Sequence, residues 1–247
     1  NAGGSGRAGT GGGTGVAGVG GMSNASGVIV PLYTTPQDAT WDTIITSKRA
    51  HPAVDVRAII NPNSGPGSNV DASYVSGIAR LSSAGIVVLG YVATGYGANP
   101  LAALHGQIDD YANWYPGVTG IFFDEMQSAP GGEPFYSGLT QYAKSKGFLS
   151  TVGNPGTDVA PAYVGTVDTI LIYESAGLPV SSALGGWHAG YRRQNFGIIP
   201  YAVPAMDASF VLNARQAVQY IYLTTDDLPN PWDSLPPYFD QLLAALE

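Results

Sequence analysis

Asp124 and Glu125 stand side by side at the end of an apolar run, Gly120-Ile121-Phe122-Phe123. Glu174 ends a second run of the same kind, Ile170-Leu171-Ile172-Tyr173. Such runs suit strands buried on both faces of a parallel sheet. An ionised carboxylate at the end of one is costly unless it is paired, hydrogen-bonded or solvated. The open C-terminal edge of a parallel sheet tolerates such groups, and α/β proteins keep their sites there. Two carboxyl groups flanking a glycosidic bond suffice to hydrolyse it: one attacks or activates water, and the other protonates the leaving oxygen. The expectation is Asp124 as nucleophile and Glu174 as general acid/base. Glu125 positions a sugar or tunes its neighbour, or is itself the acting carboxylate. The plainer alternative is that each acid caps the helix after its strand.

The elements that must position these acids alternate regularly. Strands are predicted over 28–33, 56–61, 86–92, 120–125, 148–153, 169–174, 198–203 and 220–224. Helices are predicted over about 40–50, around Tyr74, Ile78 and Leu81, then about 100–114, 134–146, 159–165, 181–194, 208–218 and 236–246. Eight strand-then-helix units imply a parallel sheet closed as a compact (β/α)8 barrel over residues 28–247. An open doubly wound sheet is the alternative, but no Gly-x-Gly-x-x-Gly turn follows the first strand. Period-two alternation puts Phe122 with Asp124, and Ile172 with Glu174, on one side of their strands. The two strands are next-but-one neighbours, so their inward residues can share a layer.

Other strand ends carry Tyr33, Asn61, Ser64, Tyr91, Tyr96, Asn154, Tyr201, Asp226 and Asp227, and Trp187 follows the sixth strand. Flat aromatic faces and hydrogen-bonding groups suit a sugar, so these residues are candidates for substrate binding. Only 11% of residues are charged, against 45% hydrophobic, which predicts a neutral surface rich in Gly, Ser, Thr, Asn and Tyr. The net charge of -8, with no basic cluster beyond Arg192-Arg193, argues against nucleic acid as a partner. No run is apolar enough to span a membrane. The absence of cysteine removes disulfides, thiolate metal sites and a cysteine nucleophile. No Gly-x-Ser-x-Gly follows a strand, so a serine triad lacks its nucleophile elbow. Asp124, Glu125 and Glu174 could hold a hard cation, but His51, His105 and His188 are scattered. The expectation is therefore no metal and no cofactor.

Residues 1–27 form a separate segment, nearly all Gly, Ala, Ser, Thr and Val. Glycine occupies every third position from Gly3 to Gly21. Composition alone reads as a flexible linker. The triplet spacing reads as an extended three-residue-per-turn arm able to pack on other chains, with self-association through residues 1–24. A chain starting at Asn1 rather than Met is consistent with a removed leader, hence a secreted or cell-surface protein.

Taken as a set, Val30-Pro31-Leu32-Tyr33, Asn61-Pro62-Asn63-Ser64-Gly65-Pro66-Gly67, Gly90-Tyr91-Val92-Ala93-Thr94-Gly95-Tyr96-Gly97, Gly120 to Glu125, and Tyr173-Glu174 resemble the spherulin-4-like proteins. The resemblance covers about residues 28–247 and leaves out the glycine-triplet arm. It implies a (β/α)8 glycoside hydrolase. Characterised fungal members of that family cleave galactosaminogalactan, an exopolysaccharide containing α-1,4-linked N-acetylgalactosamine. The acids it implies as essential fall on Asp124, Glu125 and Glu174.

Overall fold

The computed structural model describes residues 25–247. The expected arm over residues 1–24, and any self-association through it, lie outside the described residues. Eight parallel strands close into a barrel in sequence order. They are β1 (Gly27–Leu32), β2 (Asp55–Ile60), β3 (Val87–Ala93), β4 (Val118–Asp124), β5 (Ser150–Gly153), β6 (Thr169–Tyr173), β7 (Phe196–Ile198) and β8 (Tyr220–Ile221). Six helices lie between them and after the last: α1 (Ala39–Ala50), α2 (Ala72–Ser83), α3 (Leu101–Trp114), α4 (Glu133–Ser145), α5 (Ala208–Ala214) and α6 (Phe239–Leu246). Among the described residues no helix is long and apolar enough to cross a membrane.

The first half of the barrel follows its sequence pattern closely. Asp38 and Asp71 cap α1 and α2 by accepting the backbone N–H groups of Thr40 and Ser73. Pro134 starts α4, and Gly147, with φ of 97°, follows its end. Pro31 has no N–H to give, and β1 accordingly runs in full register with β2 but meets β8 only at Gly27.

The second half departs from the pattern. The helix expected over 159–165 is a single 3-10 turn, Pro161–Tyr163. The helix expected over 181–194 is three 3-10 turns, Ser181–Leu184, Gly186–Gly190 and Arg193–Asn195. Gly185, Gly186 and Gly190 interrupt any longer helix, and Gly186 takes a left-handed φ of 62°. Strand β7 sits earlier than the expected 198–203, because Pro200 cannot donate to a ladder. Main-chain bonds from Tyr222 N to Ile198 O and from Thr224 N to Pro200 O carry β8 upward beyond its regular span. Prolines 236 and 237 delay the last helix to Phe239.

The expected tyrosine-rich surface is largely a buried layer instead. Tyr111, Tyr115, Tyr136 and Tyr163 have no exposed surface. They sit between strands and helices and turn their hydroxyls onto main chain or polar side chains. Tyr111 donates to Tyr91 O at 3.0 Å, Tyr115 to Pro66 O at 3.1 Å and Tyr163 to Ala129 O at 2.6 Å. Tyr136 Oη accepts from Gln127 N at 2.7 Å and shares a 3.0 Å bond with Thr94 Oγ1. A buried hydroxyl needs such a partner; Tyr91 lies within β3, and the other partners lie in the segments that follow β2, β3 and β4.

Gly90 allows the Tyr111 ring this close to β3: a Cβ there would lie 2.8 Å from its ring carbons. Gly90→Ala is expected to destabilise the fold by about 1–3 kcal/mol through overpacking. Urea unfolding measures it, with an unchanged midpoint as the contrary result.

Candidate active site

At the C-terminal mouth of the barrel three neighbouring strands converge on one amide. Asp124 is the last residue of β4 and Glu174 follows the last residue of β6. Asn154, immediately after β5, lies between them. Its Nδ2 donates to Asp124 Oδ1 at 2.9 Å and to Glu174 Oε2 at 2.7 Å. Two acceptors of one NH2 group stand on the order of 5 Å apart, given near-linear bonds. The β6–β7 register slips between Leu171 and Tyr173, so strict alternation does not reach Glu174. Its bond to Asn154 shows where its carboxyl points.

Each side chain here is held by its neighbours. Tyr91 on β3 donates from Oη to Asp124 Oδ2 at 2.8 Å. Burial pushes the Tyr91 phenol above its ordinary range, and the Asp124 charge adds to the shift. The phenol therefore stays a donor. Tyr33 stands edge-on to Tyr91 at 5.7 Å, and burial together with the Asp124 charge pushes its phenol up as well. The Glu174 carboxyl is raised above the usual range, chiefly by burial and secondarily by the Asp124 charge; the Asn154 bond opposes both. Glu174 is thus the carboxyl with the raised range, and Asp124 has two donors aimed at it.

Glu125 turns away from the strand with φ of 50°, a strained value for a non-glycine residue. Its carbonyl accepts from Thr94 Oγ1 and Tyr96 N, each at 2.7 Å. Its carboxylate makes no hydrogen bond among the described residues, but its charge acts on Tyr91. Thr94, which no strand-end pattern singled out, is fully buried and also donates to Asp124 O at 3.0 Å.

The other predicted residues are spread around the mouth. Asn61 accepts from Gly65 N at 2.9 Å and shapes the loop after β2, in which Ser64 is exposed with φ of 49°. Tyr96 is 63% exposed with φ of 54°. Tyr201 uses its main chain to bind Ser175 and Gly177, which pins the segment after Glu174, and its ring meets Trp232 edge-on. Asp226 accepts from Ser234 Oγ at 2.6 Å, and Asp227 is exposed. Trp187 packs on His188, Tyr191 and Phe196 and donates to Asp158. None of these contacts joins Trp187 to the Asp124–Asn154–Glu174 group.

Among the described residues no three Asp, Glu or His side chains are grouped to hold a metal ion. A hollow of about 540 Å3 opens at the opposite, N-terminal end of the barrel. Its charges are satisfied internally: Arg57 and Tyr220 bind Asp55, and Lys144 binds Asp168. The mouth, not this hollow, presents a carboxylate without a hydrogen-bonded partner.

Comparison with known proteins agrees with this architecture. The sequence profile of spherulation-specific family 4 matches residues 27–246. Spherulin-4 of Physarum polycephalum is 38% identical over 162 residues, which are 65% of this chain and 48% of that protein. The chain therefore spans about half the length of that curated relative. The crystal structure of Aspergillus clavatus Sph3 in complex with GalNAc is similar with a TM-score of 0.78 and 25% identity, covering 90% of this chain and 97% of that one. A chitinase from Rhizomucor miehei shares the fold alone, with a TM-score of 0.51 and 14% identity over 89% of this chain and 98% of that one. With its whole barrel matched by the profile, the chain belongs to spherulation-specific family 4.

Proposed function

We propose that the protein is a secreted or cell-surface glycoside hydrolase. Its substrate is an exopolysaccharide containing galactosamine and N-acetylgalactosamine, cut within the polymer. The observation that carries this reading is the pair of carboxyls bridged by Asn154, one of them raised by burial. The likeness to Sph3, whose crystal structure contains GalNAc, supports the choice of sugar.

In this reading Asp124 attacks the anomeric carbon and Glu174 protonates the leaving oxygen. Glu174 then deprotonates the water that releases the product. A separation on the order of 5 Å matches a retaining mechanism, since inverting enzymes leave a wider gap for water. Tyr33 and exposed Tyr96 offer ring faces, and Glu125 offers a carboxylate for a hydroxyl or an amine.

A second reading rests on the glycine triplets of residues 3–21. The arm makes the barrel a subunit of an extracellular assembly, as an active enzyme or as an inert one. β1, which the arm precedes, starts at the barrel end opposite Asp124. Deleting residues 1–24 is expected to dissolve any oligomer seen by light scattering while the barrel stays folded. An oligomer that survives the deletion refutes this reading.

Asp124→Asn and Glu174→Gln are each expected to lower kcat on an N-acetylgalactosamine polymer by at least about 10³-fold. Full activity in either variant refutes the two-carboxylate mechanism. Proton NMR of the first product is expected to show the anomer of the substrate; the opposite anomer contradicts retention.

Glu174 ionises at higher pH in the folded chain than in the unfolded one. Its cost to stability is absent below the ordinary carboxyl range and grows as pH rises through it. Glu174→Gln is therefore expected to raise Tm near neutral pH, with the gain fading toward about pH 4. A gain that is equal at both pH values contradicts the assignment.

A further inference from the structure

We infer that Asn154 is a positioning residue rather than a sugar ligand: its single NH2 group sets the spacing of Asp124 and Glu174 and holds the two carboxyls in a fixed mutual orientation. The catalytic part of this inference rests on the glycosidase reading above; the hydrogen-bonding part does not.

Every polar atom of Asn154 is already engaged. Both Nδ2 hydrogens go to the two acids. Oδ1 accepts from Gly156 N at 3.1 Å, which fixes the amide orientation. Its backbone N donates to Phe123 O, and its carbonyl accepts from Met126 N, both at 2.8 Å. The residue is 5% exposed. A sugar hydroxyl could bind it only by displacing one of these bonds, which would leave a buried polar group unpaired.

The consequence is an asymmetry between the acids. Both oxygens of Asp124 accept a hydrogen bond, Oδ1 from Asn154 and Oδ2 from Tyr91. Asp124 thus receives two donors where Glu174 receives one. Glu174 has one oxygen engaged, Oε2, and its Oε1 accepts no hydrogen bond among the described residues.

The bridge also suits the chemistry. As a bond forms from an Asp124 oxygen to the anomeric carbon, the glycosidic C–O bond breaks. The Glu174 proton passes to the leaving oxygen. Negative charge moves from Asp124 to Glu174, and the Asn154 bond to the newly charged acid strengthens as the other weakens. When water attacks, its proton returns to Glu174 and Asp124 is released as the carboxylate.

The test uses the full chain labelled with 15N and 13C, the wild type beside Asn154→Asp and Asn154→Ala. In the wild type, both Asn154 Nδ2 proton signals are expected to shift as the Glu174 carboxyl titrates. In both variants the Glu174 midpoint is expected to rise, because a donor that favours the ionised form is lost. Asn154→Asp keeps the side-chain shape and adds a like charge that acts in the same direction. On an N-acetylgalactosamine oligomer, kcat is expected to fall at least about tenfold with KM changed by less than about threefold. The basic limb of kcat/KM should follow the NMR midpoint upward. Nδ2 signals indifferent to the titration, a Glu174 midpoint unmoved in both variants, or a loss confined to KM overturns the inference. The titration needs no substrate: a coupled titration in a protein that cleaves no sugar refutes the glycosidase reading and upholds the bridge.

Discussion

Two carboxyl groups cannot share a half-buried mouth without donors between them, and the Asn154 amide supplies those donors. Desolvation and mutual repulsion both disfavour a second negative charge there. The chain answers by giving Asp124 two donors, leaving Glu174 with one and raising the Glu174 carboxyl. Burial is the main cause of that shift, and the Asn154 bond opposes it.

Holding that amide in place occupies much of the surrounding structure. Asn154 is tied through its main chain to β4 and to Met126, so β4 and β5 cannot shift against each other without moving the pair. Thr94 bonds the carbonyls of Asp124 and Glu125 and meets Tyr136 beneath them. Tyr111 fixes the carbonyl of Tyr91, whose hydroxyl fixes Asp124. Strain collects at the same rim, with positive φ at Ser64, Tyr96, Glu125 and Ala202. Left-handed backbone at bulky residues persists where surrounding contacts over-determine it. At Glu125 those contacts are the two bonds to its carbonyl, from Thr94 Oγ1 and Tyr96 N.

The sequence disclosed the barrel and the acids for different reasons. Strands β1 to β4 are mostly apolar runs alternating with helices of 12 to 14 residues, the first two capped by Asp38 and Asp71, so both kinds of period were visible. The connections after β5 and β6 are built from Pro, Gly and 3-10 turns, which carry neither period; Pro200 and the glycines at 185, 186 and 190 displaced the expected boundaries. Asp124 and Glu174 stood out because a charge after an apolar run is conspicuous. Asn154 was legible as a polar strand end, hence as a sugar ligand; its bridge between the acids was not, because a donor shared by two strands leaves no local mark. Thr94 and the buried tyrosines were missed for a related reason: a hydroxyl in an apolar stretch does not reveal whether it faces water or a carbonyl.

Family membership and the barrel agree with each other, and the Sph3 likeness extends over most of both chains. The central claim is that Asp124 bonds to the sugar while Glu174 moves the proton. The most direct measurement is mass spectrometry of Glu174→Gln after incubation with 5-fluoro-N-acetylgalactosaminyl fluoride, whose leaving group needs no acid. The expected result is a stable sugar adduct on the peptide carrying Asp124, located to that residue by fragmentation. An adduct on Glu125, or turnover of the fluoride with no adduct on any carboxylate, would contradict it.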